Sequence, residues 1–184
     1  IGEKVVHQGI CALLSEIPFV EVEEILAMAR EREEAPLLVV LDGVQDPHNL
    51  GAIARSAEAL GAHGLILPKR RSAPVSATAM KASAGALNHL PVARVGNLAS
   101  CLDALKRKGL WIAGADMGCP DAGKTNLAGP LALCLGGEGE GLSPLLLDKC
   151  DIKVGIPMEG ATSSLNVSAA AAILLYEIGQ QRRG

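Results

Sequence analysis

Aromatic residues are almost missing from this 184-residue chain: Phe19, Trp111 and Tyr176 are the only ones, 2% of the sequence. Single-strand nucleic-acid binders stack bases on aromatic faces, and three scattered rings cannot build such a platform. Any nucleic acid must therefore be held through phosphates, polar groups and shape. The five cysteines (Cys11, Cys101, Cys119, Cys134, Cys150) are odd in number and contain no C-x-x-C pair. Nothing here suggests a disulfide framework or a zinc site, no metal is expected, and a reducing cytoplasm is the expected compartment. No uninterrupted apolar run approaches the roughly 20 residues of a membrane span. The opening Ile1-Gly-Glu-Lys-Val-Val has no apolar signal-peptide core. Because it starts at Ile and not Met, the chain is expected to be a fragment of a longer one.

The net charge of −3 argues against a generally basic nucleic-acid binder. Its distribution is uneven, with eight acids against three bases in residues 1–36 and fourteen bases against twelve acids in the rest. Local basicity is concentrated at Lys69-Arg-Arg71 and Lys106-Arg-Lys108, where a solvated loop and a helix end explain the charge as well as RNA contact does.

Hydrophobic patterning alternates between two periods. Val20 to Glu34 reads as an amphipathic helix with Val22, Ile25, Leu26 and Ala29 on one stripe. Leu37-Leu-Val-Val-Leu41 is a continuous apolar run, as expected of a parallel strand covered on both faces. Asn49 to Leu60 predicts a helix, Leu65 to Leu67 a strand, Ser76 to Ser83 a helix and Pro91 to Val95 a strand. Asn97 caps a helix that runs to Lys108, with Gly109 just beyond it. Strands follow at Leu110–Ala115 and Leu131–Leu135, a short helix at Ser143-Pro144, a strand at Ile152–Ile156 and a last helix over Leu165–Gln181. The order predicts an α/β domain with a mostly parallel sheet and helices on both faces.

Two glycine motifs invite a phosphate-binding reading. Gly118-Cys-Pro-Asp-Ala-Gly123-Lys124-Thr125 matches the P-loop pattern, yet a P-loop needs a helix to open at the lysine. Here Gly129-Pro130 stops any helix within a turn, so a chance match in a loop is expected. Gly136-Gly-Glu-Gly-Glu-Gly141 follows a buried strand but does not fit the dinucleotide fingerprint. Its glycines permit close backbone approach or positive φ, and Glu138 and Glu140 would repel phosphate. A cationic ligand suits the loop better.

Three segments carry the remaining chemistry. They are Asn49-Leu-Gly51-Ala-Ile-Ala-Arg55 after the first strand, Gly136-Gly137-Glu138-Gly-Glu-Gly141, and Ile156-Pro-Met158-Glu-Gly-Ala-Thr-Ser163-Ser164-Leu165-Asn166-Val-Ser168. Taken singly, Arg55 reads as a surface arginine, and Asn49 and Ser164 as helix caps. Asn166 could instead turn its amide into a pocket. In this order the three resemble the signature of the SpoU-type RNA methyltransferases of the SPOUT class, above all the bacterial 23S rRNA guanosine-2′-O-methyltransferases. The resemblance runs from about Leu37 to the end.

That resemblance implies a trefoil knot in the C-terminal part of the sheet, a homodimer with its active site near the subunit interface, and S-adenosylmethionine as cofactor. It assigns cofactor binding largely to the main chain at Gly136, Ile156 and Leu165, with Gly137 and Met158 close by. Arg55 becomes the catalytic candidate, with Asn49, Glu138, Ser164 and Asn166 orienting it and the ribose. Val5-Val-His7-Gln-Gly-Ile looks like the linker that follows a small N-terminal RNA-binding domain, so residues 1–18 read as linker and 19–184 as catalytic domain. The expected reaction is 2′-O-methylation of a guanosine in 23S rRNA. The alternatives are a tRNA ribose methyltransferase and a non-catalytic RNA-binding module that keeps the fold; a P-loop nucleotide hydrolase comes a distant third.

Overall fold

The structure, a computed structural model, describes residues 17–162 and 164–184. Most of the expected linker, residues 1–16, lies outside the described residues, as does Ser163. Six strands form one parallel sheet: β1 (Leu37–Asp42), β2 (Gly64–Pro68), β3 (Val92–Val95), β4 (Trp111–Ala115), β5 (Leu131–Gly136) and β6 (Ile152–Val154). Their order is β3-β2-β1-β5-β4-β6. Among the described residues six α-helices accompany them: α1 (Val22–Glu31), α2 (Pro47–Ala59), α3 (Ala77–Ala82), α4 (Leu98–Arg107), α5 (Pro144–Lys149) and α6 (Val167–Arg183).

β1 is buried along its whole length and pairs with β5 in continuous register from Leu37↔Leu131 to Asp42↔Gly136. Because side chains alternate across a strand, β1 feeds two cores. Leu37, Val39 and Leu41 join α2, α3 and α6 on one face, while Leu38 and Val40 join α1, α4 and α5 on the other. Burying each such side chain stabilises the fold by about 1.5–3 kcal/mol. This explains the uninterrupted apolar run.

Two helix starts differ from expectation. α2 begins at Pro47, and Asp46 is its cap, its Oδ1 accepting from His48 N at 3.0 Å. Asn49 therefore sits inside the first turn, where it is buried. α6 begins at Val167 with Asn166, not Ser164, as cap. By contrast, Asn97 caps α4 as expected, accepting from Ser100 N at 2.9 Å. The P-loop look-alike holds only a 3-10 turn, Ala122–Lys124, and Lys124 lies 3.9 Å from Asp121. No helix opens there to receive a phosphate.

Among the described residues no helix is long and apolar enough to cross a membrane, and no cluster of metal-ligating side chains occurs.

Candidate active site

Ligands of open α/β sheets gather at the carboxyl ends of the strands. A cavity of about 700 Å³ lies there, walled by the segments that leave β4, β5 and β6 and closed by the start of α6.

The β5 wall is the glycine loop. Gly137 N donates to Asp42 O at 2.7 Å, and Gly141 N donates to Gly137 O at 3.0 Å. Asp42 Oδ2 also accepts from Ser143 N at 3.0 Å, so this one buried carboxylate secures the far end of the loop. Asp42's role depends on the β1–β5 register, which no local pattern in the chain signals. A Cβ on Gly136 would lie 1.8 Å from the Gly141 carbonyl carbon, and one on Gly137 would lie 2.3 Å from Gly43 O. Gly139 and Gly141 take φ of +86° and +66°, conformations that favour glycine. The loop is thus folded against its own main chain, which no larger residue at 136 or 137 would allow.

The β6 wall is the stretch after Gly155, whose N–H donates to Pro120 O at 2.7 Å and whose carbonyl accepts from Ala122 N at 3.1 Å. Ile156, Met158, Ser164 and Leu165 line the cavity. Met158 and Leu165 are exposed large apolar side chains. The main-chain groups of Ile156, Met158 and Leu165 have no hydrogen-bond partner among the described residues, so they are available to a ligand.

Asn166 joins the walls. Its Oδ1 accepts from Ser168 N at 2.9 Å, capping α6, and its Nδ2 donates to Asn49 Oδ1 at 3.0 Å and to the Glu138 carboxylate. Thus Glu138, Ser164 and Asn166 line the cavity together with Gly136, Gly137, Ile156, Met158 and Leu165, and Asn49 reaches its edge through Asn166. Arg55 is different. It lies exposed on α2, is not part of the cavity wall, and its side chain has no hydrogen bond or ion pair among the described residues.

The β4 wall was missed from sequence. Asp116, Met117, Gly118 and Cys119 line the cavity, and Gly118 has φ +70°. A glycine just past a strand's carboxyl end is the available signal, and the same Gly118 also opens the P-loop look-alike. Among the described residues the cavity wall carries two carboxylates, Asp116 and Glu138, and no Lys, Arg or His. Its charge favours a cationic ligand and disfavours phosphate.

The SpoU rRNA Methylase family matches residues 36–176. A putative TrmH family tRNA/rRNA methyltransferase of Bacillus subtilis, YacO, is 43% identical over 96% of this chain and 71% of its own length. An uncharacterized tRNA/rRNA methyltransferase of Synechocystis is 49% identical over 96% of this chain, which spans 46% of that relative. Among solved structures, the SpoU methyltransferase AviRb from Streptomyces viridochromogenes, in complex with the cofactor AdoMet, superposes with a TM-score of 0.80. That match has 35% identity and covers 91% of this chain and 67% of AviRb. The chain belongs to the SpoU rRNA methylase family.

Proposed function

We propose that the cavity binds S-adenosylmethionine and that residues 19–184 form a catalytic domain methylating a ribose 2′-hydroxyl in RNA. The observation that carries this is the wall itself: unpaired main chain and tightly folded glycines, with two carboxylates and, among the described residues, no cation. A ligand with a sulfonium and an ammonium suits that wall, and the volume falls within the roughly 300–1,000 Å³ usual for small-molecule sites. The main chain at Gly136, Ile156 and Leu165 would hold the cofactor, with Gly137 and Met158 shaping its seat. When bound, S-adenosylmethionine supplies a methyl group already activated by its sulfonium.

The protein's own work is alignment and charge stabilisation. Asn166, fixed by Asn49 and Glu138, orients the mouth of the cavity beside Ser164. Arg55 presents a guanidinium, a fork of N–H donors with no acceptor. It pairs with the target phosphate or the forming alkoxide and is not the base. Since Arg55 stands outside the cavity of its own chain, we place it in the cavity of a second copy, in a homodimer. Exposed Met117, Met158 and Leu165 at the cavity and Ile173 and Tyr176 on α6 provide apolar surface for that association. The knot belongs to the same reading, as does the cytoplasm, where the four described cysteines stay free. For the substrate, resemblance in the three motifs favours a guanosine of 23S rRNA over a tRNA ribose.

The test is methyl transfer from tritium-labelled S-adenosylmethionine to transcribed 23S rRNA or tRNA, followed by alkaline hydrolysis. Alkali cleaves RNA through the free 2′-hydroxyl, so ribose methylation leaves label in alkali-resistant dinucleotides. Label confined to mononucleotides, or no transfer to either RNA, contradicts the proposal.

A further inference from the structure

The chain has two runs of three cations, and the structure separates them. In the second, Lys106 Nζ lies 2.6 Å from Asp151 Oδ1 and Lys108 Nζ lies 3.4 Å from Glu23 Oε1. Arg107 sits close enough to Asp103 to help hold that carboxyl below its usual range, behind the larger effect of Lys149. This run closes α4 just before β4 begins, at the amino edge of the sheet, away from the cavity.

The first run is the reverse case. Lys69, Arg70 and Arg71 follow the end of β2 at the carboxyl edge. All three are exposed, and among the described residues their side chains form no hydrogen bond or ion pair. Their loop is nonetheless fixed. Lys69 N donates to Val95 O at 2.9 Å and Lys69 O accepts from Arg94 Nη2 at 3.0 Å. Ser72 Oγ donates to Pro68 O at 2.8 Å, and Ala73 N donates to Val44 O at 2.8 Å. Arg71 has φ +56°, a conformation that favours glycine, yet the position carries a long cationic side chain.

The loop also adjoins the cavity. The segment at Gly43 and Val44 meets Ala73 on one side and Gly137 on the other. β2 and β5 flank β1, so the strands that lead into the basic loop and the glycine loop lie about 10 Å apart, two strand spacings. Neither Phe19 nor Trp111 substitutes for it in holding RNA. Phe19 is engaged with the Arg94 guanidinium, 5.1 Å from its ring centre, and Trp111 opens β4 at the opposite edge.

We infer that the Lys69–Arg71 loop grips the RNA backbone, its three free cations contacting phosphates that flank the ribose presented at the cavity. This rests on the methyltransferase reading. Arginine forks suit bidentate phosphate contact, and a rigid loop loses little entropy in making it.

The experiment is fluorescence anisotropy of the full chain with a fluorescein-labelled RNA stem-loop, titrated over a range of salt concentrations. The slope of log affinity against log salt counts the phosphates neutralised. In Lys69→Gln/Arg70→Gln/Arg71→Gln the slope should become shallower by about 2 to 3, and in Arg70→Gln alone by about 1. Lys106→Gln/Arg107→Gln/Lys108→Gln should keep the wild-type slope. An unchanged slope in the first triple variant, or an equal loss in the second, overturns the inference. S-adenosylmethionine calorimetry on the same proteins keeps the two proposals apart: absent cofactor binding in the wild type sinks the methyltransferase reading, whereas intact binding with an unchanged salt slope sinks only the basic loop.

Discussion

The carboxamide of Asn166 donates to Asn49 Oδ1 at 3.0 Å, tying together two residues 117 positions apart, while its own Oδ1 caps α6 through Ser168 N. One side chain thus serves both the local start of a helix and the junction of three loops, since the same amide also reaches Glu138.

These two duties can be separated by substitution. Asn166→Ser keeps a capping oxygen but removes the amide, so its melting temperature should stay within about 2 °C of wild type. Asn166→Ala loses the cap as well, worth about 1 kcal/mol, and should melt about 2–4 °C lower. Both should slow methyl transfer on the order of 10- to 100-fold, because the mouth of the cavity is no longer held. Parallel melting and turnover measurements check this.

At Gly137 an added methyl meets Gly43 O at 2.3 Å, whereas at Gly139 nothing stands within 4 Å. Gly137→Ala should displace the loop and lower S-adenosylmethionine affinity by roughly tenfold or more, with the circular dichroism spectrum retained. Gly139→Ala bears only the strain of its positive φ, about 1–2 kcal/mol, and should bind more tightly than Gly137→Ala. Calorimetry of the pair decides between them.

Arg55→Ala should abolish methyl transfer and leave cofactor binding intact. If the arginine acts across a dimer, refolding Arg55→Ala together with Gly137→Ala restores activity, because each mixed dimer holds one cavity and one arginine that are both unaltered. If it acts within its own chain, the mixture is no more active than Gly137→Ala alone.

His63 links stability to pH at the amino edge of the sheet. Its Nδ1 accepts from Leu37 N at 3.0 Å and its Nε2 donates to Glu34 Oε2 at 3.0 Å, which fixes the neutral ring. Burial lowers its pKa below 6.5, outweighing the opposing pull of Glu34. The unfolded chain therefore takes up the proton first. The stabilisation is fully present above about pH 6.5 and is lost as pH falls from there through the folded value. Melting temperature should decline over that window, and His63→Asn, which can still accept from Leu37 N, should flatten the decline.

Much of this was legible in the sequence where local chemistry decides. The apolar run Leu37–Leu41, the Asn97 cap and the Ser143-Pro144 helix start all depend on neighbours in the chain. The start of α2 is legible too, since Asp46-Pro47 carries the same cap-plus-proline signal as Ser143-Pro144, although Asn49 is as good a cap residue three positions on. Ser164 and Asn166 are equally good caps locally, and the choice was made by Asn49 and Glu138, which only the fold brings near. Asp42 and the Gly118 wall depended on strand order: β1 beside β5, and β4 between β5 and β6. No periodicity encodes that order.

The central claim is that this cavity is a seat for S-adenosylmethionine, and calorimetry of the purified chain tests it most directly. The account predicts saturable binding at one site per chain, weakened by Gly137→Ala and unaffected by Arg55→Ala or Lys124→Ala. Absence of binding by the folded wild-type chain, or binding indifferent to Gly137→Ala, would contradict it.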